Sequence, residues 1–359
     1  MVTGNPPDVW RSMRLVLDGI SAYEFWMNAV ERPALGEIRP THAQLTSFER
    51  SDRLAIAKAF RNNDGIEGPM HLLVQNPEER RHSASMICRC LGSHTFVSAD
   101  SLVYTGGGIF VISPELCVLR LAVQLPRLEF LRAFTDLLSI FSLSSLDRQE
   151  LISRKPILTK DDMRRYIEQV GPMPGCKLVE RAMDWVVERS ASPRETSMDL
   201  DLALPTKLGG QGLPPFSANY QYPLDENAKL ITRRNYLVAD VAWPERHMTL
   251  EYNSSKHHDN EEQKEFDFDK IAAMIRMKEA CIPISNNNFS TYDSYASIVG
   301  GVREVFGLRD RYSSDVDARR MKTHEELLKI ERRQRYSPSL FETARWRYLQ
   351  PRMDVSTPI

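Results

Sequence analysis

The chain has 359 residues, a length that suggests two domains, and 42% of them are hydrophobic, enough to build real cores. Its formal net charge is −1, which excludes a globally basic nucleic-acid binder and leaves any such contact to local patches. The five cysteines, Cys88, Cys90, Cys117, Cys176 and Cys281, are scattered without a paired C-x-x-C, arguing against zinc and against a disulfide framework.

No apolar stretch approaches the length of about 18 residues that a membrane span needs. The opening MVTGNPPDVWRS lacks the basic-then-apolar pattern of a secretion signal. The expectation is a soluble, cytoplasmic protein with no membrane partner.

In chain order, Trp10 to Val30 is an apolar run interrupted at Asp18-Gly19, compatible with a strand and a helix or with two helices. Residues 41–60 have roughly helical spacing and end in the turn Asn62-Asn63-Asp64-Gly65. Short strand candidates follow at 70–74, 85–91, 94–104 and 108–113, close enough together to suggest one small sheet. Ser113-Pro114 is a helix start, the helix stops at Pro126, and a second apolar helix is expected from Leu128 to Phe141. A polar hinge with a short helix capped by Thr159 covers 153–176, and a helix is expected from Lys177 to Glu188. Ser192-Pro193-Arg194-Glu195 then matches a capping box, so the plain reading of Glu195 is a carboxylate closing on its own helix start.

The most informative stretch is Tyr236 to His258, YLVADVAWPERHMTLEYNSSKHH, which reads as two short strands joined by a tight turn. A turn centred between Glu245 and Arg246 sets Trp243 opposite Met248 and Asp240 opposite Glu251. Two carboxylates facing each other about 5 Å apart are destabilising unless something compensates, and a divalent cation does so. The plainer alternative is a hairpin with one solvated face on which two acids are ordinary, and a one-residue slip in register separates the pair. A helix from Pro193 to Leu204, a strand at 218–222, these two strands, a helix from Asn260 to Glu279 and a strand from Cys281 to Ser285 give the order αβββαβ. The last strand, helix and strand are expected to cross over right-handed into a parallel pair.

That order, with the segments SPRET, GLPPFSANY, VADVAWPE, LEYNSSKHH and DFDK, resembles the PD-(D/E)XK nuclease superfamily, in the branch of the very short patch repair endonuclease. LDGISAYEFW, PMHLLV and FVSADSLVYTGGGIFVISPELCVLRLA resemble the abortive-infection (type IV toxin-antitoxin) antitoxin-like region that many bacterial relatives carry in front of such a domain. The resemblance spans roughly Leu17 to Leu308. It implies an α/β chain with an antitoxin-like α+β domain at 1–155 and a restriction-endonuclease-like αβββαβ domain at 156–310; outside it, residues 311–359 read as a basic, partly helical tail.

The resemblance further implies a site made of Glu195, Asp240, Glu251, Asn253, His257 and His258, with Mg²⁺ or Mn²⁺ held by Asp240 and Glu251 and with DNA as substrate. Asn253 stands where the family often has Asp, Gln or Lys, and it can neither carry charge nor act as a general base. Lys256 is a candidate for the missing cation, and Asp269 matches an acid on the family's next helix, where Ala272 replaces the usual arginine. His257 and His258 suit proton transfer near neutral pH, or equally a solvated loop before a helix capped by Asp259.

From Arg319 to Arg352 ten basic residues stand against four acids, with Tyr336, Phe341, Trp346 and Tyr348 interleaved. Such a run either contacts DNA or forms a solvated, partly helical extension. Three readings follow: a metal-dependent DNA endonuclease, a non-catalytic DNA-binding regulator or antitoxin-like protein with a degraded nuclease site and a cognate toxin or regulatory partner, and a protein-interaction module whose acids are surface residues.

Overall fold

The computed structural model describes residues 15–29, 69–74, 78, 80, 86–90, 101–106, 109–143, 150–253, 261–308 and 314–336, a mixed α/β chain. It divides into two compact units, residues 1–137, 142–184 and 332–359 in the first and 138–141 and 185–331 in the second. The chain crosses between them after residues 137, 141, 184 and 331. Among the described residues no helix is long and apolar enough to cross a membrane.

The first unit contains β1 (Leu15–Leu17), α1 (Gly19–Asn28), β2 (Met70–Val74), β3 (Met86–Cys90), β4 (Leu102–Gly106), β5 (Ile109–Ile112), α2 (Pro114–Gln124) and α3 (Arg127–Leu137). The short strands β6 (Phe141–Leu143) and β7 (Leu151–Ser153), then α4 (Lys160–Val170) and α5 (Cys176–Ala182), follow. Its main sheet runs β3-β2-β1-β5-β4, with β1 parallel to β5 and antiparallel to β2. The interrupted apolar run is therefore a strand followed by a helix. The expected helix at 41–60 lies outside the described residues.

Two helices stop earlier than their apolar patterns suggest, α3 at Leu137 and α5 at Ala182. The amide of Arg189 donates to Leu138 O (3.0 Å) and that of Ile140 to Ser190 O (3.0 Å). This bridge uses the Leu138 carbonyl and the Ile140 amide, which would otherwise have continued α3.

The second unit begins with α6 (Pro193–Ala203) and β8 (Ser217–Pro223). A helix absent from the sequence reading, α7 (Glu226–Thr232), comes next; its cap is Asp225, whose side chain accepts from the Ala228 amide. Then come β9 (Tyr236–Trp243), β10 (Met248–Asn253), α8 (Glu261–Arg276), β11 (Ala280–Ser285), α9 (Asn286–Ser290), α10 (Tyr292–Val305) and α11 (Ser314–Tyr336). The sheet order is β11-β10-β9-β8, an antiparallel meander of three strands with β11 parallel to β10 after the α8 crossover.

The register of the β9–β10 hairpin is the expected one, with Trp243 opposite Met248, Ala242 opposite Thr249 and Val241 opposite Leu250. Its turn is a 3₁₀ segment, Pro244–Arg246, closed by His247 in the left-handed conformation (φ 52°).

Two apolar clusters hold this sheet. Val241, Trp243, Met248 and Leu250 pack with Met198 and Leu202 of α6, Tyr295, Val299 and Val302 of α10 and Leu328 of α11. Tyr222, Leu237, Ala239 and Ala242 pack with Ala228 of α7 and with Ala273 and Met274 of α8.

Helix α11 is fastened to α6 by buried polar contacts. The His324 ring, 1% exposed, donates from Nε2 to Phe289 O (2.8 Å) and places Nδ1 2.8 Å from the Asp201 carboxylate, which is fully buried. Arg194 pairs with Glu331 (3.2 Å), to which Ser197 also donates. An acid stripped of its partner in such a place costs roughly 3–5 kcal/mol. His324→Leu is expected to lower the unfolding free energy of the full chain by about that much in urea titrations, and adding Asp201→Leu to recover part of the loss.

Candidate active site

Asp240 lies in the middle of β9 and Glu251 in β10, one rung beyond the last paired residues Val241 and Leu250, so the register brings them opposite each other. At this rung the ladder changes character. The Tyr252 amide donates to the Asp240 carboxylate (Oδ2, 2.7 Å), so a side chain takes the role of a backbone acceptor. Glu251 is 6% exposed, while Asp240 keeps part of its surface open.

Over these strands lies α8. Ala273 and Met274 anchor it in the apolar cluster, and Lys270, three and four residues earlier, falls on the same side of the helix. Its ammonium forms a buried ion pair with Glu251 Oε2.

Glu195 caps its own helix, as its sequence context implies. Ser192 Oγ accepts the Glu195 amide (3.2 Å) and donates to Oε1 (2.9 Å), and the Ala191 amide donates to Oε2 (2.9 Å). Capping does not exhaust it. Asn219 of β8 also donates to Oε2 (2.9 Å), and the Glu195 charge acts on both Asp240 and Glu251. Helix acid and strand acids thus share one electrostatic neighbourhood.

That neighbourhood perturbs its members in opposite directions. Loss of solvent, and then the charges of Glu195 and Glu251, push the Asp240 carboxyl well above the ordinary range, against the pull of Lys270 and the Tyr252 amide. Burial also raises Glu251, although Lys270 draws it back. Burial alone would depress Lys270, but Glu251 and Asp240 outweigh it and hold the ammonium charged. The cluster is short of positive charge, since three carboxylates face one lysine.

No family model, curated protein or solved structure matches this chain. The site therefore has to be judged on its own chemistry.

Of the residues expected from sequence, the structure brings together Glu195, Asp240 and Glu251. Asn253, half-buried, sits two residues beyond Glu251 and in register with Ser285 of β11. Lys256, His257, His258 and Asp259 lie outside the described residues. Asp269 and Ala272 flank Lys270 on α8, but Lys270 is the residue that reaches the acids. Lys270 and Asn219, which are not among the expected residues, also reach these acids. Both lie in segments that carry the resemblance, DFDK and GLPPFSANY, and Lys270 also has helical spacing to Ala273 and Met274.

Two observations fit a divalent cation between Asp240 and Glu251. Glu251 Oε1 is buried and has no hydrogen-bond partner among the described residues. Asp240 is driven toward its neutral form by burial first and then by the charges of Glu195 and Glu251, which a cation would balance. Carboxylate oxygens are the ligands that Mg²⁺ and Mn²⁺ take, usually with water filling the other positions. Among the described residues no group of three or more His, Cys, Asp or Glu side chains is placed to hold a metal ion.

The shift of Asp240 has a stability consequence with a definite sign. A carboxyl raised in the folded state contributes most to stability below its unfolded value, 3.8, and that contribution is lost as pH climbs through the raised folded value. Asp240→Asn keeps an acceptor for Tyr252 and removes the charge. In metal-free buffer it is expected to melt above the wild type at pH 7, with the gap shrinking toward pH 4; thermal scans at the two pH values check this.

Proposed function

We propose that the second unit is a restriction-endonuclease-like domain that hydrolyses phosphodiester bonds in DNA with the help of Mg²⁺ or Mn²⁺. The observation that carries this reading is the convergence of Asp240, Glu251 and Lys270, from two adjacent strands and the crossover helix, with Glu195 acting on the same pair. The order of elements and the strand directions support it, as does the resemblance seen in the sequence.

Asp240 and Glu251 would hold the cation, which when bound supplies positive charge to a phosphate oxygen and lowers the pKa of a water. Lys270, kept protonated by the two acids, has its charge where negative charge develops on a phosphoryl group. This is the part that Asn253 cannot play, so the charge missing from the strand is supplied by the helix. Glu195 Oε2 is occupied by two donors and Oε1 by one, which leaves Oε1 a lone pair to orient a water molecule.

Incubation of supercoiled plasmid with the purified chain and Mg²⁺ or Mn²⁺ tests this directly. Nicking or linearisation is expected, stopped by EDTA and reduced at least about 100-fold by Asp240→Ala or Lys270→Met. Cleavage unaffected by both substitutions would remove the site from consideration. A DNA gel shift without cleavage would instead favour the non-catalytic regulator, a reading that rests on the neutral Asn253.

A further inference from the structure

We infer that Asn219 is a positioning residue, which sets the carboxylate of Glu195 against the Asp240–Glu251 pair from a left-handed kink in β8. The catalytic consequence rests on the hydrolase reading above; the positioning itself does not.

The kink has an unusual form. Ala218 pairs with Val241 and Tyr220 with Ala239 in one unbroken register, so no residue has been inserted, yet the rung between them is missing from the ladder. The residues of that rung are Asn219 and Asp240. Asn219 has φ 48°, a conformation in which Asn is tolerated better than most side chains. The strand thus keeps its step while one residue turns out of the pleat beside the central acid.

What it gains by turning is visible in its hydrogen bonds. Both hydrogens of the amide are used: Nδ2 donates to Glu195 Oε2 (2.9 Å) and to Arg189 O (3.0 Å). The cap contacts of Glu195 from Ala191 and Ser192 tie it to its own helix start. Asn219 ties it to the sheet. Arg189 is itself left-handed (φ 75°), and the adjacent Ser190 donates to the buried Asp199 one turn along α6 (2.6 Å), so the loop that receives the second amide hydrogen is fixed as well.

The arrangement answers an electrostatic problem. Glu195 is repelled by the two acids it stands beside, and a neutral donor bonded to it from the sheet holds it there without cancelling its charge. A lysine in that position would compete with a bound cation, and an aspartate would add a fourth acid.

Asn219→Gly tests the idea because glycine adopts the same backbone conformation and removes only the amide. The full-length variant is expected to melt close to the wild type, to show the wild-type KM for plasmid DNA in Mn²⁺, and to lose about 10- to 100-fold in kcat, the scale of a misplaced catalytic group. Because Asn219 acts through Glu195, the same substitution in a Glu195→Gln background is expected to cost nothing further. An unchanged kcat, or an equal loss with and without Glu195, would overturn the inference. If the wild-type chain cuts no DNA, the hydrolase reading fails, and crystal structures decide the positioning. A Glu195 carboxylate displaced in Asn219→Gly supports it, and one that stays in place refutes it.

Discussion

The single rung that puts Asp240 across from Glu251 governs the rest of the second unit. It follows from a side-chain period of two and a turn that fixes which residues oppose, and no freedom remains once Val241 and Leu250 pair. Everything placed around it is a response to two acids in one small space. The backbone gives up a ladder acceptor so that Tyr252 can serve Asp240, a lysine is brought down from the crossover helix, and a neighbouring strand turns a residue out of line.

These responses leave the site under-neutralised, and that is informative. A surface selected only for stability would separate like charges or replace one with an apolar residue. Here the core is assembled around the conflict: the apolar clusters on α6, α8 and α10 hold rigid the elements that carry the acids and the lysine. Unbalanced charge is thus concentrated at this one rung, with apolar packing around it.

Much of this was legible in the sequence where local rules are strong. Ser113-Pro114, Thr159 and Ser192-Pro193 marked helix starts because capping is a short-range hydrogen bond. The hairpin register followed from a turn centred between Glu245 and Arg246, and the pairing so obtained buries Val241, Trp243, Met248 and Leu250 together. What could not be read depends on distance. Lys270 joins Glu251 across a whole helix, and its neighbours Asp269 and Ala272 drew attention by matching, or failing to match, a pattern. Asn219 looked like any strand residue because a left-handed kink that preserves register leaves no trace in periodicity. Local sequence marked Glu195 only as a cap, and its place in a site came from the resemblance, since its partner Asn219 comes from a strand 24 residues later. The early end of α3 follows from a bridge between segments about fifty residues apart, which no window of local sequence contains.

The allotment of α11 bears on how this protein can be taken apart. Residues up to Glu331 belong to the second unit and those from Arg332 onward to the first. Within the second unit the helix supplies His324 and Glu331 to α6; within the first it supplies Gln334, which donates to Asp136 (3.0 Å) in a buried cluster with Tyr23 and Arg132. Trimming the gene at the close of the sheet region would strip polar partners from the interior of both halves at once. The single helix α11 thus supplies buried polar partners to the first unit and to the second.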